Sequence, residues 1–84
     1  MKTFTFYSDP SHAWLAVTET DVALAGLNKN SFSQCSYYSG KTLFLEEDCD
    51  APKFLDCWAA RFGHPNIRDM QDGEFIRNLN SIRS

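Results

Sequence analysis

Apolar positions fall into short runs whose period changes along the chain. Thr3 to Tyr7 alternates, with Phe4 and Phe6 on one face, which is the period of a half-buried strand. Ser8-Asp9-Pro10-Ser11 is a cluster of turn formers carrying the chain past His12, and Ala13 to Val17 resumes as a second strand. Thr18 and Asp21 have the spacing of a capping box and start a short helix, Glu19 to Ala25. Gly26 fits the left-handed position past its end, with Leu27 placed to fold back on the last turn. After the polar run Asn28 to Ser31, Phe32–Tyr38 and Thr42–Glu47 read as a hairpin around Ser39-Gly40. In it Leu43 and Leu45 face one side and Phe44 the other, the pattern of a central strand.

The period then becomes helical. Phe54, Trp58 and Phe62 recur at i, i+4, i+8 with Leu55 beside them and Ala51 one turn earlier, a wide stripe to lay on a sheet. Asp48 or Asp50 is expected to cap this helix, Pro52 suits its first turn, and Gly63 and Pro65 end it. The segment from Asn66 onward can be read as a strand, a helix or one of each. We take Ile67 to Gln71 as a strand and Glu74 to Ile82 as a helix, on the spacing of Phe75, Leu79 and Ile82. The pattern predicts one α+β domain over residues 1–84: a mainly antiparallel sheet of four or five strands, one main helix on a face and one or two short helices, with 64–84 as the less tightly packed segment.

Composition narrows the function classes. A chain of 84 residues buries only roughly 60 to 65% of the surface its unfolded form exposes, so little interior is left for an enclosed active site. The net charge of -3 argues against direct nucleic-acid binding, which needs a basic footprint. The acids concentrate before Ala60 and the arginines after it, so the first part suits a basic partner. Three cysteines, an odd set without a CxxC pair, and the absence of an apolar leader lead us to expect a reducing cytosol, and no apolar run is long enough to cross a membrane.

Two stretches carry a resemblance. Phe6-Tyr7-Ser8-Asp9-Pro10-Ser11-His12-Ala13-Trp14-Leu15 and Tyr38 to Ala51, with its core Leu43-Phe44-Leu45-Glu46-Glu47-Asp48-Cys49-Asp50-Ala51, resemble the "YSDPGHGWL" and "YLEEDCDA" signatures of a family of small phage and prophage proteins. The likeness covers most of residues 4 to 63, with Ser11 and Ala13 in place of the family's glycines. Its "S-x-IRSY" ending is matched only loosely, by Phe75 to Asn78 or Ser81 to Ser84. The resemblance implies a mobile-element origin and a bacterial host, where inhibitors of host defence, anti-CRISPR proteins among them, are common products of this size.

Glu46-Glu47-Asp48-Cys49-Asp50 places four carboxylates in five positions. It reads either as a phosphate-mimicking patch for a basic channel or as a solvated strand end whose acids favour the next helix N-terminus. We expect Glu46, Glu47, Asp48 and Asp50, with Tyr38, to contact a host defence complex such as Cas proteins, and no catalytic residue, cofactor or metal. The spacing is not that of an EF-hand loop, and Cys49, Cys57 and His64 lack the paired spacing of a zinc site. Trp14, Tyr37, Tyr38 and the terminal arginines form a second candidate patch, of a type enriched at interfaces. Two rivals stand beside the inhibitor: a small His- or metal-dependent hydrolase centred on Asp9, His12 and a cysteine, and a regulatory or assembly module that dimerises through an exposed sheet edge instead of acting as a monomer.

Overall fold

In a computed structural model of the chain, which describes residues 2–82, the protein is an α+β fold built on a six-stranded, mostly antiparallel sheet. In chain order the elements are β1 (Thr3–Ser8), β2 (Ala13–Thr18), α1 (Glu19–Leu24), a 3₁₀ turn (Lys29–Ser31), β3 (Tyr37–Ser39), β4 (Thr42–Glu46), α2 (Asp50–Phe62), β5 (Asn66–Met70), a second 3₁₀ segment (Gly73–Asn78) and β6 (Asn80–Ser81). Across the sheet they run β5-β1-β2-β4-β3-β6. Among the described residues only the β1·β5 pair is parallel, as its connection through the sheet-covering helix α2 allows.

The local signals work as the sequence suggests. Thr18 Oγ1 accepts from Asp21 N at 3.0 Å while the Asp21 carboxylate accepts from Thr18 N at 2.9 Å, a complete capping box. At the other end Gly26 N donates to Ala23 O and Leu27 N to Val22 O, the paired bonds of a Schellman motif, with Gly26 at φ +82°. The β3–β4 hairpin turns at Gly40, φ +57°, and β4 is central, as its two-sided apolar pattern requires.

The sheet is covered on both faces. One face carries Phe4, Leu15, Val17, Leu43 and Leu45 against Ala51, Phe54 and Trp58 of α2, with Phe4 meeting both aromatic rings edge-on at 5.2 and 5.0 Å. Phe62, the last residue of the expected stripe, is 55% exposed, its ring centre 4.5 Å from that of Trp58. The other face holds Trp14 and Phe44, sealed by Ile76, which is 0% exposed.

Three expectations are corrected. The first hairpin arm starts at Tyr37 and not at Phe32, because residues 33 to 36 fold around the Asp50 carboxylate instead of pairing. Neither Asp48 nor Asp50 caps α2: the cap position is Cys49, and no side chain bonds there. The segment Glu74 to Ile82 is not an α-helix. After Asp72, whose φ is +71°, it forms the 3₁₀ segment across the second face and then β6, a sixth strand on the far edge.

Candidate functional site

The acidic run sits at the corner between β4 and α2, and its carboxylates part into two roles. Glu46 is 8% exposed, its Oε1 accepting from the backbone N–H groups of Asp48 at 2.9 Å and Cys49 at 3.0 Å. Asp50 is 5% exposed and takes up hydrogen bonds from Ser33 N at 3.1 and 3.0 Å, Ser33 Oγ at 2.8 Å and the Ser36 hydroxyl. These two acids hold the corner together, with buried polar groups satisfied and charge-assisted. Glu47 and Asp48 face solvent. Their backbone is anchored on both sides, since Glu47 N also donates to Ala13 O of β2 at 3.0 Å.

Tyr38 does not join them. It pairs with Leu43 at the hairpin end of β4, half-buried, with Lys29 Nζ 4.3 Å from its ring centre. The tyrosine near the acidic corner is Tyr37, which with His12, Arg77, Cys35 and Cys49 lines an open cavity of about 350 Å³ bounded by Glu46 and Asp48. Of the expected aromatic and arginine patch, Trp14 is buried, Arg77 is present and Arg83 lies outside the described residues.

The partners of Arg77 were not legible because they are far away in the chain. Its Nε donates to Asp9 Oδ2 at 2.5 Å and its Nη2 to His12 Nδ1 at 2.6 Å, while the guanidinium lies 5.5 Å from the Trp14 ring centre. His12 stacks on the same indole at 5.9 Å. The other oxygen of Asp9 accepts from Ser11 N and His12 N, both at 2.8 Å, which shapes the turn. The Arg77 guanidinium holds the Asp9 carboxyl well below the usual carboxylate range, helped by those two amides.

This geometry limits the chemistry at His12. Arg77 stays protonated and donates, so Nδ1 is an acceptor and the neutral ring carries its proton on Nε2. Nε2 then offers a donor, whereas a general base needs a lone pair there. At Cys49 the neighbouring Glu46 carboxylate, followed by burial and Cys35, pushes the thiol up to about 11. It keeps its proton at neutral pH and is a poor nucleophile. Cys57 packs against the core from within α2 while His64 lies exposed beyond it, and no three His, Cys, Asp or Glu side chains converge as metal ligands among the described residues.

No protein-family model, curated protein or solved structure matches the chain. No helix among the described residues is long and apolar enough to cross a membrane.

Proposed function

We propose that the protein acts by binding, as an inhibitor carried by a phage or mobile element that docks on a basic surface of a bacterial host defence complex. A Cas complex whose nucleic-acid channel it would block is the first candidate, with the host cytoplasm as the place of action. One observation carries this reading: Glu47 and Asp48 stand exposed, side by side, on a corner whose backbone is fixed by Glu46, Asp50 and β2. A pre-ordered acidic pair loses little freedom on docking and is attracted by the same positive potential that draws a phosphate backbone. Glu46 and Asp50 serve in this reading as supports and not as contacts, and Tyr38 drops out of the contact set.

The test is charge reversal of the exposed pair, Glu47→Lys with Asp48→Lys, assayed for inhibition of target binding by the complex. Inhibition should fall by at least roughly tenfold, since like charges then face each other across the contact. The wild-type protein should also lose its hold on the complex as salt rises. A folded double variant that inhibits as well as the wild type would remove the acidic corner from the mechanism.

A further inference from the structure

The clasp around Asp50 has a chemical consequence at the two residues that precede its partners. The Ser36 hydroxyl donates to the Asp50 carboxylate and accepts from Glu46 N at 3.1 Å, which fixes residues 33–36 against the start of α2. Cys35 stands immediately before Ser36, and Cys49 immediately before Asp50. Both are exposed, and both line the same cavity. The backbone on each side is held as well: Cys35 N donates to Ser33 Oγ at 3.1 Å and Cys49 N to Glu46 Oε1 at 3.0 Å. Cys57, half-buried inside α2 and packed on the core, is not part of this arrangement.

We propose that Cys35 and Cys49 form a dithiol site that closes to an intramolecular disulfide on meeting a small-molecule disulfide, locking the loop before β3 onto the start of α2. This site is independent of the acidic-corner reading. Disulfide formation needs Cα atoms within about 7 Å and converging side chains, and the two cysteines line one cavity beside the Ser36–Asp50 hydrogen bond, which joins the residues immediately after them. The first step is attack by the Cys35 thiolate on one sulfur of the reagent, forming a Cys35 mixed disulfide and releasing one thiol. Cys49, whose own proton passes to solvent, then attacks the Cys35 sulfur and releases the second thiol. Two protein thiols are oxidised and one reagent disulfide is reduced to two thiols. Cys35 attacks first because the Glu46 carboxylate keeps the Cys49 sulfur protonated.

Glutathione disulfide is the probe. Trypsin cuts after Lys29, Lys41, Lys53 and Arg61 and so places each of the three cysteines on its own peptide. Reduced protein treated with the probe at mildly alkaline pH should yield peptide 30–41 joined to 42–53, with Cys57 alone left for alkylation. Because the bridge closes a loop of about 15 residues, the thermal midpoint should rise by at least roughly 10 °C and return on adding dithiothreitol. In Cys49→Ser, shown folded by circular dichroism, glutathione should stay attached to Cys35. Wild-type protein that carries glutathione adducts without that link, bridges to Cys57 instead, or joins two chains through these cysteines would overturn the proposal.

Discussion

Both carboxylate oxygens of Asp9 are occupied, one by two amides of its own turn and the other by Arg77, 68 positions away. The Asp9 side chain is 5% exposed and that of Arg77 46%, so the pair sits at the surface with its carboxylate turned inward. With its pKa depressed in the folded state, Asp9 contributes stability that is fully present above the unfolded value of about 3.9 and is lost as pH falls through the folded one. Asp9→Asn lacks that charge at every pH. Urea unfolding of the two proteins should therefore show a wide stability gap near pH 7 that narrows below about pH 4, and a gap that stays constant into acid would refute the linkage. The contrast with Asp50 shows where sequence reading stops at this scale. A row of acids is visible in a chain, but which of them turns inward is decided by Ser33 and Ser36, 17 and 14 positions away, and nothing local to Asp50 announces them.

Elements were legible where their determinants are local. The capping box of Thr18 and Asp21, the Gly26 stop and the stripe of Phe54 and Trp58 each need only a few neighbouring residues, and each formed as read. The last segment misled because Phe75, Leu79 and Ile82 have helical spacing while the residue that is buried is Ile76, pressed on the second sheet face with Trp14 and Phe44. A flat path across a sheet wants one inward residue and an early return to extended backbone, and a 3₁₀ segment of six residues supplies both. Its entry depends on Gly73. A methyl group there would lie 2.9 to 3.0 Å from the backbone of Ser8, which as part of β1 cannot yield the way a side-chain tip can. Gly73→Ala should therefore cost about 1 to 3 kcal/mol in urea unfolding, with near-native stability sinking the claim of close approach.

At the scale of the whole molecule, the chain joins the two edges of its sheet from behind. It leaves β5 at one edge, crosses the second face through Ile76 and ends in β6 on the other, where Ser81 pairs with Tyr37 and donates to Gln34 O at 2.9 Å. The same crossing carries Arg77 to Asp9 and His12, so the covering of Trp14 and the shape of the cavity beside the acidic corner depend on one strap. Such a connection has no signature in hydrophobic period, since it is a relation between sequence-distant edges, which is why six strands emerge where the pattern supports four or five. Ile76→Ala tests it. The side chain is wholly buried, and its truncation should cost about 2 to 5 kcal/mol, a large part of the roughly 5 to 10 kcal/mol that holds a small domain folded. If the strap is one cooperative unit with the sheet, Trp14 fluorescence, isolated in a Trp58→Phe background, and far-ultraviolet circular dichroism should lose their signals at the same, lower urea concentration. If Trp14 becomes exposed well before the sheet unfolds, the strap is a separately melting layer, and the cavity beside Glu47 and Asp48 would open without loss of the fold.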